Sequence, residues 1–177
     1  MQTSNRARRP PSLKARALQW LAQREHSRHE LRAKLLRAAA TAASTEGGGD
    51  DEGAATAAAI DALLDQLAAQ GHLSDARFVE SRIHARAARY GNRRIEHELR
   101  QHGLVIEGAA QRQLHGRDCA RAREVWRKKF GGQAAAAAAG RARQMRFLAA
   151  RGFSPDVVRR VVSAPDDAEL DAEPGRE

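Results

Sequence analysis

Apolar residues recur at intervals of three and four along most of this chain, and the sequence shows no convincing alternation of period two. Ser, Asp, Asn and Gly stand where these apolar stripes begin and end, as they do at helix termini. One example is Ser154-Pro155-Asp156, which places a cap, a first-turn proline and an acid before a stripe of valines. The pattern therefore predicts an all-α fold of nine short helices.

Three junctions between predicted helices repeat one arrangement. They lie at Ser27, Gly91 and Phe153, 64 and 62 residues apart. Each is followed by apolar residues four and eight positions on, namely Leu31 and Leu35, Ile95 and Leu99, and Val157 and Val161. Such recurrence is typical of repeat proteins, whose units bury their apolar faces only against neighbouring units. We therefore expect an elongated, curved molecule with a long surface in place of a deep pocket, which favours binding over catalysis.

Polar residues predict where several of the helices start. Ser27 and Glu30 have the spacing of a capping box, in which each side chain bonds the backbone N–H of the other residue. Ser74 is expected to cap the fourth helix, Asn92 the fifth and Asp118 the seventh. Turn or left-handed backbone conformations are expected at Gly91, Gly103 and Gly152.

Large apolar residues at helical spacing form the predicted core. The chain has only seven aromatic residues, spread along its length, which fits several small cores better than one large core. The predicted core residues are Trp20, Leu31, Leu35, Phe78, Tyr90, Ile95, Leu99, Trp126, Phe147, Leu148, Phe153 and Val157.

Three segments have the composition of a disordered chain. They are a basic N-terminus at 1–12, an insertion rich in Ser, Thr, Gly and acids at 44–56, and an acidic tail at 166–177. The single cysteine, Cys119, excludes an intramolecular disulfide, and no apolar run approaches the length of a membrane-spanning helix. We therefore expect a cytoplasmic protein without a membrane partner.

The net charge of +9, from 31 bases and 22 acids, is unevenly distributed. Residues 76–165 carry twenty bases and seven acids, whereas residues 38–75 carry seven acids and no base. A basic body with an acidic tail indicates a nucleic-acid partner, or an acidic protein surface close to nucleic acid. A solvated basic surface with a solubilising tail is the alternative interpretation.

The sequence lacks the usual signatures of catalysis and metal binding. The glycines at 47–49 lie among acids without a lysine, so they do not form a phosphate-binding loop. The close histidine pairs, His26 with His29 and His97 with His102, lack the spacing and the accompanying acid of a metal-binding helix. We therefore expect no enzymatic activity, no metal and no cofactor.

Three strings of the sequence resemble one family, RecX, the bacterial regulator of the RecA recombinase. The strings are LAQREHSRHELRAKL (21–35), LSDARFVESRIHARAARYGNRRIEHELRQHG (73–103) and ARQMRFLAARGFSPDVVRRVV (142–162), in the order of the family. The resemblance implies tandem three-helix repeats at 13–70, 73–116 and 118–163. It also implies binding in the helical groove of the RecA–DNA filament, with down-regulation of strand exchange, coprotease activity and ATP turnover.

Basic residues on the repeat helices are the predicted contacts with filament acids or DNA phosphate. An isolated arginine is usually a solvated surface residue, but bases spread over every repeat fit a polyanionic groove better, and bidentate arginine suits either target. Arg77 has an alternative role as a partner of Asp75 or Glu80. The predicted contacts are Arg24, Arg28, Arg32, Arg77, Arg93, Arg94, Arg100, Arg127, Lys128, Lys129, Arg146, Arg151, Arg159 and Arg160.

Two other functions stay open. The unit from Tyr90 to Gly103 resembles a helix-turn-helix in outline, which is typical of an autonomous DNA-binding protein such as a transcriptional repressor. Against this interpretation, bases recur in every unit, and no dimerisation helix or heptad seam is visible, so we expect a monomer. A protein-binding scaffold is the third interpretation.

Overall fold

Helices account for the regular secondary structure in a computed structural model of the chain, which describes residues 11–43 and 50–163. In these residues the helices are α1 (Leu13–Gln23), α2 (Arg28–Ala43), α3 (Asp50–Ala69), α4 (Asp75–Ala87), α5 (Asn92–Gln101), α6 (Gly108–Gly116), α7 (Asp118–Phe130), α8 (Ala138–Ala150) and α9 (Pro155–Ser163). The described residues contain no strand, and the all-α prediction is confirmed. The disorder predicted at 1–12 and 166–177 falls almost entirely outside the described residues and stays a prediction.

Serine side chains start several helices. Ser27, Ser74 and Ser154 each accept a hydrogen bond from the backbone N–H three residues on, at 3.1–3.3 Å. Each bond satisfies one of the N–H groups that the first helical turn leaves without a partner. These three predicted caps are confirmed. The reciprocal bond of the capping box is not among the hydrogen bonds of the described residues, because the Glu30 carboxylate pairs with Arg24 instead.

Two predicted caps are wrong by one residue. The N-cap of α5 is Gly91, and Asn92 is the first residue of the helix. In the same way, α7 has Arg117 as its N-cap and begins at Asp118. Asp118, which was predicted to cap α7, instead connects α7 to α5, because its carboxylate accepts a hydrogen bond from the backbone N–H of Asn92 at 3.3 Å.

The glycines at the helix junctions serve two different purposes. Gly103 and Gly152 have φ of 72° and 84°, in the left-handed region that was predicted for them. Gly91 has φ of −80°, which any residue adopts, so its conformation does not require glycine. Glycine is required there because it is small, since a Cβ at Gly91 would overlap the backbone of Gly152 and Phe153. The Gly91 N–H donates to the Arg151 carbonyl at 3.0 Å, and the α4–α5 turn therefore lies directly against the α8–α9 turn.

The first compact unit, residues 1–78, has its core among α1, α2 and α3. Leu31 and Leu35 of α2 are fully buried in one apolar cluster with Ile60 and Leu64 of α3. These positions follow the spacing of three and four that predicted the helices. The apolar stripe of α2 is thus covered by its two neighbours in sequence, as expected for a three-helix repeat.

The third helix is longer than the sequence indicated. It begins at Asp50, inside the segment 44–56 for which disorder was predicted, so that prediction is wrong for residues 50–56. Alanine is abundant from residue 54 onward and has the highest helix propensity, which explains why the helix extends upstream of its apolar stripe. Residues 44–49 lie outside the described residues.

The second compact unit, residues 79–177, has its core among α7, α8 and α9. Trp126, Leu148 and Val161, one from each helix, are buried in the same cluster. The rings of Phe130 and Phe147 meet edge to face at its margin, with their centroids 5.1 Å apart. Three helices again enclose one small core, so each unit buries its own apolar residues.

The twelve predicted core residues divide by exposure into two groups. Those that the structure buries are Leu31, Leu35, Phe78, Ile95, Leu99, Trp126, Leu148 and Phe153. Those that it leaves half-buried are Trp20, Tyr90, Phe147 and Val157. Cations lie over three of these half-buried rings, which gives them a role at the surface as well as in packing.

When the nine helices of the described residues are grouped in threes, as α1–α3, α4–α6 and α7–α9, the three recurring junctions do not occupy the same place in each group. Those at Ser27 and Gly91 follow the first helix of a triplet, α1 or α4, whereas the one at Phe153 follows the second, α8. The contact between Gly91 and Gly152 brings two of these junctions together inside the second unit.

Candidate polyanion-binding surface

Tyr90, in the turn between α4 and α5, lines two open clefts on the second unit. The first cleft has a volume of about 630 Å³, and the second has a volume of about 460 Å³. Both are bordered mainly by basic and polar side chains. Clefts of this kind are candidates for binding an extended anionic partner.

The first cleft lies along α5. It is lined by Arg86, Arg93, Arg94 and His97, together with Tyr90 and the end of α8. The acid in its lining is Glu98, whose carboxylate pairs with Arg86 at 3.0 Å and with Arg82 at 3.3 Å. With Glu98 neutralised in this way, Arg93 and Arg94 leave the cleft positively charged.

The second cleft lies between the α4–α5 turn and α7 and α8. Its cations are Arg89, Lys128, Lys129 and Arg151, and no carboxylate lines it among the described residues. Lys128 pairs with Glu124, one turn earlier on α7, at 2.7 Å. The other three cations make this cleft strongly positive as well.

Aromatic rings hold two of the arginines in place. The guanidinium carbon of Arg94 lies 4.4 Å from the centre of the Tyr90 ring, and that of Arg151 lies 3.8 Å from the centre of the Phe147 ring. Stacking over a ring restricts the guanidinium group but leaves N–H groups at its edge to donate to an anion. Two cations are therefore ordered before any partner binds, which lowers the entropic cost of association.

A buried polar cluster fixes the start of α5, which carries Arg93 and Arg94. The Arg121 guanidinium donates to the Asp118 carboxylate at 2.8 Å and also to the side-chain carbonyl of Asn92. Burial raises the pKa of Asp118, against the opposing effects of the Arg121 charge and the Asn92 N–H. Sequence reasoning missed this cluster, because Asp118 was interpreted only as a cap.

The predicted contacts of the first unit have different surroundings. All four lie within hydrogen-bond distance of carboxylates, and three of these pairs join different elements of the unit. The pairs are Arg24 with Glu30, Arg28 with Asp65 at 2.7 Å, Arg32 with Asp61 at 2.6 Å and Arg77 with Glu25 at 2.8 Å. Arg77 therefore does pair with an acid, but with one from the α1–α2 junction, in place of the helical neighbours that were considered.

The remaining predicted contacts line neither cleft. Arg159 pairs with Asp156 on α9. The others are exposed and lie elsewhere on the second unit: Arg100, Arg127, Arg146 and Arg160. The clefts thus gather five of the predicted residues, namely Arg93, Arg94, Lys128, Lys129 and Arg151.

Several cleft residues were absent from the prediction, among them the basic residues Arg86, Arg89 and His97. Arg86 and Arg89 precede Tyr90 by four residues and one residue, and His97 follows Arg93 by one helical turn. Helical spacing relative to Tyr90 is the signal that identifies Arg86 and His97. Arg89 lies in the turn, where no periodicity applies.

Two family models and many related proteins match this chain. The models describe the second three-helix domain of RecX, at residues 74–105, and the third, at residues 117–162. The regulatory protein RecX of Ralstonia pickettii (strain 12J) is 43% identical over 162 residues, which cover 90% of this chain and 92% of that protein. The corresponding protein of Herminiimonas arsenicoxydans is 46% identical over 160 residues, which cover 89% of this chain and 95% of the relative.

The regulatory protein RecX of Pseudomonas entomophila (strain L48) is 40% identical over 161 residues, again across 89% of this chain and 94% of the relative. The chain belongs to the RecX family. The two RecX domain models cover α4 and α5 on one side and α7 to α9 on the other, so both basic clefts are built jointly from the second and third RecX domains.

Within the part of the RecX chain that the structure describes, no helix is both long enough and apolar enough to cross a membrane. The same residues contain no group of three or more His, Cys, Asp or Glu side chains that could hold a metal ion.

Proposed function

We propose that this RecX protein is a non-enzymatic regulator that binds the RecA–DNA filament and lowers strand exchange, ATP turnover and coprotease activity. Membership of the RecX family supports the regulatory role, since its relatives are named regulatory proteins. The filament as partner follows from what the family resemblance implies. The clefts around Tyr90 supply a surface with matching charge.

The pair of clefts is the observation that carries the proposal. The groove of a RecA–DNA filament, which is the binding site that the family resemblance implies, would offer DNA phosphates, protein carboxylates or both, and arginine binds either group with two parallel hydrogen bonds. Arg93 and Arg94 on one side of Tyr90, and Lys129 and Arg151 on the other, offer cations over a surface longer than a single pocket.

The helix-turn-helix alternative fits this geometry less well. A reading helix presents the residues of its first turn to base edges. In this RecX protein the first residue of α5, Asn92, is only 5% exposed, and its backbone N–H is taken by Asp118. The neighbouring N–H, that of Arg93, donates to the Gly152 carbonyl at 3.1 Å. The third domain therefore covers the N-terminal end of α5, and although Arg93 and Arg94 of the first turn stay exposed, Asn92 and Ile95 are buried. This covering hinders entry of the helix end into a DNA groove, which argues against sequence reading by this helix.

Inhibition of the cognate RecA tests the proposal. We expect the parent protein to reduce DNA-stimulated ATP hydrolysis by RecA, and to bind RecA filaments on single-stranded DNA more tightly than the same DNA without RecA. Equal affinity for the bare and the coated strand would contradict filament recognition. A protein that represses transcription from a defined operator, without an effect on RecA, would support the alternative.

A further inference from the structure

We propose that Arg121 is a positioning residue for the contact arginines of α5, so that the second RecX domain binds its partner only in the orientation set by the third. The inference rests on the proposed function. According to the inference, partner binding also depends on residues that lie outside the two clefts. The second and third domains would then act as one binding unit.

The first support is the buried cluster at the start of α7. The side chains of Arg121 and Asp118 are only 12% and 5% exposed. Arg121 donates to Asp118 at 2.8 Å, to the Leu114 carbonyl at 3.1 Å and to the Asn92 side chain. Hydrogen bonds with so little exposure to water are strong and directional, so the cluster ties the first residue of α5 to the third domain.

The second support lies on the other side of the same helical turn. The Gly91 N–H donates to the Arg151 carbonyl at 3.0 Å, and the Arg93 N–H donates to the Gly152 carbonyl at 3.1 Å. A Cβ at Gly152 would overlap Arg94, so no side chain separates the two turns. The backbone that carries Arg93 and Arg94 is therefore held by two independent parts of the third domain.

Arg121 itself lines neither basic cleft. It borders a separate cleft with Ile83 and Leu114, so any effect of Arg121 on the two basic clefts must pass through the residues that it holds. The nearest of these with a predicted contact role are Arg93 and Arg94, and Arg94 in turn lies over the Tyr90 ring between the clefts. This arrangement is what identifies Arg121 as a positioning residue and not as a contact.

A double-mutant cycle on filament binding tests the inference. Arg121→Ala should weaken binding of the full chain to RecA filaments by about tenfold, within the range of coupling between residues of one network. The same substitution should have no further effect in a chain that already carries Arg93→Ala and Arg94→Ala. An equal loss in both backgrounds would overturn the inference, because Arg121 would then act independently of the two arginines.

Two further variants separate positioning from stability. Asn92→Ala removes the link from Arg121 to α5 but retains the pair between Arg121 and Asp118, so it should weaken binding with a smaller loss of stability than Arg121→Ala. Val161→Ala, in the core of the third domain, should lower the melting temperature but leave binding below that temperature intact. A Val161→Ala loss as large as that of Arg121→Ala would attribute the effect to stability and overturn the inference.

A spectroscopic measurement tests the positioning without RecA. Stacking over Tyr90 should shift the side-chain methylene resonances of Arg94 upfield by the ring current. Arg121→Ala and Asn92→Ala should move these resonances toward the values of an unstacked arginine. Unchanged resonances in both folded variants would overturn the inference. If the parent fails to bind filaments, the proposed function is wrong, and these resonances still decide whether Arg121 positions Arg94.

Discussion

Both units of this RecX protein carry arginines that the sequence marks as contacts, but the two units place them in opposite surroundings. In the first unit, Arg28 and Arg32 pair with carboxylates of α3, which belongs to the acidic segment 38–75. In the second unit, Arg94 and Arg151 lie over aromatic rings beside open clefts. Abundance of basic residues in a segment is therefore a poor measure of the charge available to a partner. What counts is the charge left after pairing within the fold.

The largest predicted effect compares one pair from each unit: Arg121 with Asp118, whose side chains are almost fully buried, and Arg32 with Asp61, whose side chains are exposed. Arg121→Ala should destabilise the second unit by about 3–5 kcal/mol, because it leaves the Asp118 carboxylate buried without its partner. Arg32→Ala in the first unit should leave stability nearly unchanged, since its pair with Asp61 is open to solvent. Urea denaturation followed by circular dichroism measures both. Similar losses for the two variants would contradict the distinction.

Within α5, the buried and exposed faces should respond differently. Ile95→Ala should destabilise the protein by roughly 2–5 kcal/mol, because the side chain is fully buried. Replacing Arg93, Arg94 and Arg100 together by Ala should leave helicity and melting almost unchanged, since exposed substitutions usually shift stability by less than about 0.5 kcal/mol each. Thermal unfolding provides the comparison. A cooperative loss of structure in the triple variant would show that these arginines support the fold.

Removing charge from each unit in turn tests which unit contributes more to the affinity for RecA filaments. The triple variant Arg93→Ala, Arg94→Ala, Arg151→Ala should bind RecA filaments more weakly by about 2 kcal/mol, if each lost contact contributes roughly 0.7 kcal/mol. The salt dependence of binding should also become shallower, because fewer charges are neutralised.

The matched control for this variant removes three arginines from the first unit: Arg24→Ala, Arg28→Ala and Arg32→Ala. These residues pair within the fold, so their removal should affect filament binding less. If the control loses as much affinity and as much salt dependence as the cleft variant, the arginines of the two units contribute equally and the expected difference between the units is wrong.

The first unit should be the more sensitive to acid. Burial acts to raise the pKa of Glu30, but the hydrogen bonds from Arg24, together with the His26 ring 3.2 Å away, outweigh it and lower this pKa to about 2. A carboxyl with a depressed pKa stabilises the folded state above its unfolded value, near 4.5, and this contribution disappears as the pH falls toward 2. After allowance for solvent screening of Arg24, we expect a loss of about 1 kcal/mol.

The pH dependence of unfolding, compared between the parent and Glu30→Gln, measures this contribution. The variant should be less stable than the parent at pH 7, and the difference should shrink between pH 4.5 and pH 2. A constant difference across this range would exclude the pairing of Glu30 as the source of acid sensitivity.

The smallest expected effect concerns the acidic tail. Residues 166–177 contain six acids and one base, with Leu170 as the one large apolar residue, so deletion should not affect folding. If the tail competes with DNA for the basic residues, its deletion should raise affinity for non-specific DNA at low salt. Filter binding or anisotropy would detect the change. Identical affinities with and without the tail would remove the competition hypothesis.

Spacing along the chain predicted most of the helices and their caps. Leu31, Leu35, Ile95 and Leu99 are buried because a helix brings residues three and four apart onto one face, which can be inferred from the sequence. Ser74 could be identified as a cap for a similar reason, since its partner lies three residues on. Local rules succeed where both partners lie within one or two helical turns.

Contacts between distant residues account for what the sequence could not show. Arg32 and Asp61 are 29 residues apart and meet only after α2 packs on α3. Gly91 looked like a conformational glycine, although its partner is the backbone at Gly152. From the sequence, only the type of residue in the candidate site could be predicted, namely basic side chains on short helices. Which of these side chains are available to a partner depends on the ion pairs that form in the tertiary structure.

The close approach of Gly91 and Gly152 has a consequence for how this surface can change. The bonds that align the two turns join main-chain atoms, N–H of Gly91 to the carbonyl of Arg151, and so do not depend on which side chains project from the turns. Substitutions at Arg93, Arg94 or Arg151 can thus alter the charge pattern without disturbing the alignment. A library randomised at these three positions should yield folded proteins with new anion preferences, whereas one randomised at Gly91 should not.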